Sequence, residues 1–98
     1  KIELELAKLM MQKAAVLYDS GDDFGAAEAA NMAKYAAAEA SIKSLDQAIQ
    51  THGGGGLTRE YGLAAMLGAA RIARVAPVSR EMILNFVSQH SLGLPRSY

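Results

Sequence analysis

The first 18 residues follow a helical pattern with one narrow polar stripe. Polar side chains recur every three or four positions, at residues 1, 5, 8 and 12, and most of the remaining circumference is apolar. This pattern predicts a helix from Ile2 to about Tyr18 that is buried on several sides. Gly21 is suited to the left-handed position that follows a helix, so the first helix is expected to end just before it.

A second, longer helix is predicted from Phe24 to about Thr51, with Asp22 or Asp23 as its N-cap. Two lines of residues can be separated along it. Small residues recur along one line and would let another helix approach closely, whereas large residues along the other would form a core seam. The small line is Ala26, Ala30, Ala33, Ala37, Ala40, Ser44 and Ala48, and the large line is Tyr35, Ala38, Ile42, Leu45 and Ile49. Glu39 and Lys43 have the order expected of an i,i+4 ion pair on the solvated face.

Two shorter helices complete the predicted fold. The third is expected to begin with Thr58 as its cap and to run to about Arg74, with Tyr61, Ala64, Leu67 and Ile72 buried. Pro77 interrupts the chain, Ser79 caps a fourth helix, and residues 92–98 form a packed tail. No strand pattern is present, so the fold class is predicted to be all-α, an up-and-down helical bundle with short connections.

Composition narrows the possible functions. Ten basic and ten acidic residues cancel in the 98-residue chain, which argues against a nucleic-acid or anionic-membrane partner. The chain has no cysteine, and its two histidines, His52 and His90, lack the clustering that a metal site needs. No apolar run approaches the roughly 20 residues that cross a bilayer, so we expect a soluble protein with no membrane span.

The beginning of the chain is already in helical pattern, without an initiator methionine and without an N-cap residue before it. We interpret Lys1 as lying within a helix of a longer protein, so residues 1–98 would be one incomplete, N-terminally truncated helical bundle domain. The apolar circumference of the first two helices predicts that they pack against partners outside these residues, either the missing part of the chain or other subunits. Expressed alone, the segment is expected to aggregate or to remain molten.

A run of four glycines follows the long helix. Glycine lets backbone N–H groups approach a ligand closely, although the run fits neither nucleotide-binding fingerprint, and a flexible turn is the simpler interpretation of it alone. Its surroundings resemble the Gln-x-His-Gly-Gly-x-Gly segment, followed by Glu-Tyr, of the acyl-CoA dehydrogenases. The order and approximate lengths of the helices, together with Ala33-Lys34, extend the resemblance over nearly the whole chain. The residues that carry the motif are Gln50, Thr51, His52, Gly53, Gly54, Gly55, Gly56, Glu60 and Tyr61.

The resemblance implies a C-terminal helical bundle that assembles dimers and tetramers. It also implies that this glycine segment contacts the adenosine diphosphate half of an FAD held mainly by a neighbouring subunit. Carried over, the cofactor contacts fall on Gln50, Thr51, His52, Gly53 and Gly54. For His52 the alternative is a residue that interacts only with the C-terminal end of its own helix.

A second family segment, Tyr-Glu-Gly-Thr-x-Gln, aligns with residues 76–81. Pro77 stands where the family's catalytic Glu often lies, and proline cannot accept a proton, so no catalytic residue is assigned to this chain. Ser79 and Glu81 align with the Thr and Gln that touch the flavin. The simpler roles are an N-cap for Ser79 and a favourable charge at the helix N-terminus for Glu81.

The resemblance implies an FAD-dependent α,β-dehydrogenation of acyl-CoA thioesters, in which a base removes a proton from Cα and the flavin takes the hydride. The implied partners are an acyl-CoA substrate, an electron-transfer flavoprotein, and further subunits in a homo- or hetero-oligomer. The implied location is the bacterial cytoplasm or the mitochondrial matrix. Two alternatives remain open: a non-catalytic or partner-dependent dehydrogenase-like subunit, and a purely structural helical bundle.

Overall fold

The computed structural model describes residues 1–96, and these form helices and connecting turns without a strand. The α-helices are α1 (Ile2–Asp19), α2 (Asp23–His52), α3 (Leu63–Val75) and α4 (Arg80–Phe86). A 3-10 helix, Gly53–Leu57, follows α2 directly, and a π-helical turn, Val87–Ser91, continues α4. The predicted all-α class is confirmed, and the bounds of the first two helices agree with the sequence pattern to within one residue.

Helix α2 sets the length of the molecule. Thirty residues at 1.5 Å per residue span about 45 Å, which accounts for the longest dimension of 47 Å. The helix begins where the Asp22 carboxylate accepts a hydrogen bond of 2.9 Å from the Gly25 N–H, so Asp22 is the N-cap. Gly21, with φ of 85°, occupies the left-handed conformation that was predicted for it.

Helix α1 packs antiparallel to α2 through small residues. Ala7 is buried on α1, and Ala26, Ala33 and Ala40 of the predicted small line are buried on α2. Lys43 pairs with Glu3 at the far end of the two helices, so the predicted pair between Glu39 and Lys43 is wrong. An isolated helix pattern could not foresee that Lys43 would meet a carboxylate from the neighbouring helix.

Helices α3 and α4 lie one after the other along α2, both antiparallel to it. Arg74, near the end of α3, pairs with Glu39, and Arg80, at the start of α4, lies over the Tyr35 ring. Phe86 at the end of α4 and His90 on the π-helical turn after it pack their rings against Phe24. The bundle therefore has three antiparallel rods, and the third rod is interrupted at residues 76–79, which we name the proline loop.

The third helix begins four residues later than predicted, with Gly62 rather than Thr58 at the N-cap position. Thr58 does not cap it, because the Thr58 hydroxyl instead donates to the Gly55 carbonyl at 2.8 Å and closes the preceding turn. Gly62, with φ of 68°, reverses the chain, and α3 starts at Leu63. The extra turn was not predicted, because residues 58–62 contain no proline and Thr58 is a good N-cap residue by type.

Several predicted burial assignments are wrong within this chain. Leu67 is half-buried, but Tyr61, Ala64 and Ile72 are exposed because α3 touches α2 along one face only. The predicted packed tail is exposed over residues 92–96, and Ser97 and Tyr98 lie outside the described residues. Seven large hydrophobic residues of α1 are also uncovered by the rest of the described chain, with exposures of 50–76%: Ile2, Leu4, Leu6, Leu9, Met11, Val16 and Tyr18.

Candidate functional site

The C-terminal end of α2 and the 3-10 helix after it carry the glycine segment. We name Gly53–Leu57 the glycine turn. Gly53, with φ of 58° and ψ of −140°, terminates α2, and its N–H bonds to the Gln50 carbonyl. A non-glycine residue is strained at this φ, so glycine at position 53 is required by the backbone itself.

The glycines of the turn differ in the space around them. A Cβ added to Gly53 or Gly54 would meet nothing within 4 Å, whereas a Cβ on Gly56 would lie 2.7 Å from the Ile49 carbonyl oxygen. Gly56 is buried against the last turns of α2, while Gly53 and Gly54 are exposed. The turn therefore has an inner side closed by its own helix and an outer side with open backbone.

The side chains of Thr51 and His52 turn back onto α2. The Thr51 hydroxyl donates to the Gln47 carbonyl, and His52 Nδ1 lies 2.8 Å from the Ala48 carbonyl oxygen. Because a carbonyl only accepts, Nδ1 carries the hydrogen, and Nε2 is the ring nitrogen left for a ligand. The Thr51 hydrogen is likewise committed, so the Thr51 hydroxyl can offer a ligand only its acceptor lone pairs.

Tyr61 covers one side of the glycine turn, although sequence reasoning placed it in the buried face of α3. Its ring meets the His52 ring edge-on at 5.1 Å, and a Cβ on Gly55 would lie 3.3 Å from its Cε2 atom. The signal was present in the Glu-Tyr pair after the glycines. What the sequence could not reveal was that residues 58–62 form a turn, which returns Tyr61 to the glycines.

Glu60, beside Tyr61, is fully exposed and tied to the same turn. A hydrogen bond from its own backbone N–H is the largest cause that holds the pKa of Glu60 below its ordinary value. That bond favours the ionised carboxylate.

The second candidate segment is the start of α4. Ser79 Oγ accepts a hydrogen bond of 3.2 Å from the Met82 N–H, which confirms the predicted N-cap. A hydroxyl has one donor and two acceptor positions, so capping leaves the Ser79 hydrogen able to reach a ligand. Glu81 lies in the first turn of α4 and is exposed.

The structure keeps the two candidate segments of one chain apart. The proline loop lies beside Lys34, whereas Gln50 is sixteen residues farther along α2, about 24 Å at 1.5 Å per residue. Ser79 and Glu81 therefore do not converge with residues 50–54 on one point. Each segment would meet a different part of an extended ligand, or a different ligand.

A charged cluster that the sequence analysis missed lies opposite the break in the third rod. Arg74 Nη2 donates to Glu39 Oε2, and Arg80 Nε lies 3.3 Å from Glu39 Oε1. The contact between Arg80 Nε and Glu39 Oε1 is an ion pair without a hydrogen bond, because neither atom has a hydrogen-bond partner of acceptable geometry. The Glu39 cluster, defined as Tyr35, Glu39, Arg74 and Arg80, joins α2 to α3 and α4.

Tyr35 completes this cluster. Its hydroxyl accepts a long hydrogen bond of 3.5 Å from Arg80 Nη2, and the Arg80 guanidinium carbon lies 5.6 Å from its ring centroid. Tyr35, and then the charge of Glu39, raise the pKa of Arg80 above its ordinary value. Arg is cationic at physiological pH in any case, so the cluster carries two positive charges and one negative charge beside the proline loop.

Lys34 holds the ends of the break directly. Its Nζ donates to the Ala73 carbonyl and to the Val78 carbonyl, both at 2.7 Å. The first acceptor belongs to the last turn of α3, whose carbonyls lack partners within the helix. The second acceptor immediately precedes the Ser79 cap.

Nothing in residues 1–96 forms a group of three or more metal-ligating side chains of the His, Cys, Asp and Glu types. Within the same residues, no helix is both long and apolar enough to span a bilayer.

Residues 1–92 match the family described as acyl-CoA dehydrogenase, C-terminal domain. The all-helical fold and the glycine turn agree with this match, and the chain belongs to the acyl-CoA dehydrogenase family. A purely structural bundle unrelated to that family is therefore excluded.

Three relatives illustrate the range of the family. The chain is 76% identical over 97 residues to the acyl-CoA dehydrogenase FadE12 of Mycobacterium tuberculosis, covering 99% of this chain and 25% of the relative. It is 38% identical to the 3-sulfinopropanoyl-CoA desulfinase of Paraburkholderia xenovorans over 92 residues, 94% of this chain and 23% of the relative. It is 35% identical over 92 residues to human acyl-CoA dehydrogenase family member 11, 94% of this chain and 12% of the relative.

The chain thus spans a quarter or less of the length of these relatives. No solved structure matches it.

Proposed function

We propose that this chain is the C-terminal helical domain of an FAD-dependent acyl-CoA dehydrogenase, where it packs subunits together and forms one wall of the FAD site. The observation that carries the proposal is the glycine turn, whose exposed outer backbone ends a 30-residue helix in a member of this family. Uncharged polar groups can bind a pyrophosphate where backbone N–H donors lie close to it, and glycine permits that close approach.

The residues of the glycine segment fit the adenosine diphosphate part of FAD in different ways. Gln50 is exposed and offers an amide that both donates and accepts. Thr51 can accept from a ribose hydroxyl, because its own hydrogen is bound to Gln47. His52 can meet a ligand through Nε2. Gly53 and Gly54 leave space for a ligand to come close to the backbone, although the Gly53 N–H is already bound to the Gln50 carbonyl.

Ser79 and Glu81 are proposed to face the flavin part of an FAD, with Ser79 donating its free hydrogen while it caps α4. Because they lie about 24 Å along α2 from Gln50, the glycine turn of one subunit is proposed to serve the FAD that a neighbouring subunit holds. Bound FAD would supply the redox chemistry, and this chain would supply orientation and water exclusion.

Subunit packing is supported by the uncovered apolar surface of α1. An exposed run of large apolar side chains on one helix marks a surface that the rest of the full-length chain or another subunit covers, because a stable monomer rarely leaves such a patch in water. The proposed partners are further copies of the chain or an unlike subunit, an acyl-CoA substrate and an electron-transfer flavoprotein. The proposed location is the cytoplasm of a bacterium.

Pro77 favours one alternative, a dehydrogenase-like subunit that depends on a partner for catalysis. No side chain at position 77 can accept the substrate proton, so the base would lie elsewhere in the full-length protein or on an unlike subunit. The desulfinase among the relatives also indicates that membership of the family does not fix one reaction.

Purification of the full-length protein tests both candidates. A yellow product with a flavin absorption spectrum is expected, and anaerobic addition of acyl-CoA thioesters of several chain lengths should bleach that spectrum. A yellow protein that no thioester bleaches would favour the partner-dependent subunit. A colourless protein that takes up no added FAD would contradict the proposed function.

A further inference from the structure

We infer that Lys34 is a positioning residue for the proline loop, and through it for Ser79. The inference starts from the break in the third rod. Where α3 stops and α4 begins, the backbone loses its intrahelical partners on both sides, and those groups need partners from elsewhere in the chain. Lys34 satisfies one group on each side, the Ala73 carbonyl before the break and the Val78 carbonyl after it.

The geometry of the two bonds makes Lys34 a clamp. Both are charge-assisted and 2.7 Å long, and both originate from one nitrogen atom on α2. If α4 moved away from α3, the bonds to Ala73 and Val78 could not both be kept. The position of the Val78 carbonyl relative to α2 is thereby fixed.

The clamp acts directly on the cap of α4. Val78 and Ser79 share a peptide unit, and Ser79 in turn fixes the first turn of α4 through the Met82 N–H. Lys34 touches no candidate ligand-facing residue with its side chain, so any effect on Ser79 must pass through the backbone of Val78. The Glu39 cluster cannot replace it, because Glu39 holds side chains of α3 and α4 and no backbone group of the proline loop.

This inference rests on the proposed function only where it concerns FAD; the clamp itself is a property of the chain. Two readouts in the full-length protein separate the two claims. One is amide hydrogen exchange over residues 76–82, which needs no ligand, and the other is the dissociation constant of FAD measured by titrating the apoprotein. The variants are Lys34→Met and, as the matched control on the same helix, Lys43→Met, whose lysine is exposed and pairs with Glu3.

Lys34→Met is expected to accelerate exchange over residues 76–82 by about tenfold, as a local opening becomes easier. It should raise the FAD dissociation constant about tenfold, or ~1.4 kcal/mol, and change the visible circular dichroism of bound FAD. Lys43→Met should change each readout less than about twofold. If Lys34→Met does not yield folded protein, Lys34→Gln takes its place; its shorter, uncharged amide removes the charge assistance of both bonds, so exchange and the FAD dissociation constant should both rise at least about twofold.

A double-mutant cycle with Ser79→Ala tests whether Lys34 acts through Ser79. In the Ser79→Ala background, Lys34→Met should raise the FAD dissociation constant by less than about twofold further, because the Ser79 hydroxyl that Lys34 positions has already been removed. A full tenfold loss in that background, or unchanged exchange in Lys34→Met, would overturn the inference. If Lys34→Met exchanges faster than wild type over residues 76–82 but the wild-type protein binds no FAD, the clamp is supported and only the proposed function is contradicted.

Discussion

The two candidate ligand-facing segments are held in place by different means. The glycine turn is ordered by its own helix: Thr51 and His52 bond to carbonyls four residues earlier, and Gly56 packs on Ile49. The proline loop has local hydrogen bonds only at its two ends, from the Ala76 N–H to the Ile72 carbonyl and from the Met82 N–H to Ser79 Oγ. Between them it is held from α2 by Lys34 and, on both flanks, by the Glu39 cluster. One segment is fixed by local contacts and the other by contacts 35–45 residues apart in sequence.

The difference predicts where each segment is vulnerable. Local contacts form wherever α2 forms, so the glycine turn should lose its conformation only when a substituted side chain collides with the backbone. Tertiary contacts depend on a few charged groups, so the proline loop should lose its conformation when a single charge on α2 is removed. The following substitutions, in the full-length protein, test that contrast.

The largest effect is expected at the closed side of the glycine turn. Gly56→Ala would place a Cβ 2.7 Å from the Ile49 carbonyl oxygen and 2.9 Å from the Ile49 Cα, and neither backbone atom can rotate away. We expect a loss of about 3 kcal/mol of stability, at the upper end of overpacking effects. A thermal midpoint indistinguishable from wild type would show that the turn is not packed as described.

The second effect concerns the charge that holds the flanks of the proline loop. Glu39→Gln keeps the side-chain shape but removes the carboxylate that pairs with both Arg74 and Arg80, and the Arg74 side chain is only 24% exposed. We expect a loss of about 2 kcal/mol, less than for a fully buried pair because the cluster is partly solvated. Chemical denaturation monitored by circular dichroism measures it.

Glu3→Gln is the matched control for that substitution. Glu3 also pairs with a cation from another helix, Lys43, but both side chains are more than half exposed. Its removal should cost at most about 0.5 kcal/mol. Equal losses for Glu39→Gln and Glu3→Gln would remove the distinction between the Glu39 cluster and an ordinary surface pair.

The smallest effect is a pH dependence in the turn after the glycines. The pKa of Glu60 is lower in the folded chain than in the unfolded chain, so its stabilising contribution is present above the unfolded value. That contribution disappears as the pH falls through the folded value. Glu60→Gln should therefore flatten the acid side of the thermal midpoint profile slightly, below about pH 4.5, and a profile unchanged from wild type would contradict this prediction.

Elements with a strong local signal could be predicted from the sequence. The long second helix, its Asp22 cap, the Gly21 stop and the Ser79 cap all depend on residues within four positions of one another. The glycine segment and the family could likewise be named from contiguous residues. These features agree with the structure because short-range chemistry decides them.

Features that depend on long-range contacts could not be predicted. Glu39 was assigned to Lys43, its helical neighbour, because nothing local indicates that Arg74 and Arg80 return to it. Lys34 is half-buried in an alanine-rich stretch, and its acceptors are backbone carbonyls, which every residue carries. Thr58 was assigned as a cap because its residue type favours that role, whereas Gly62 delays α3 by reversing the chain.

The central claim, that a dinucleotide reaches the open backbone of the glycine turn, is tested most directly by Gly54→Ala in the assembled full-length protein. A methyl group at this position meets nothing within 4 Å in the chain, so the thermal midpoint of the apoprotein should remain that of wild type. If FAD approaches this backbone, the added methyl group should raise its dissociation constant about tenfold, or ~1.4 kcal/mol. An unchanged dissociation constant in a folded, FAD-binding protein would contradict the account.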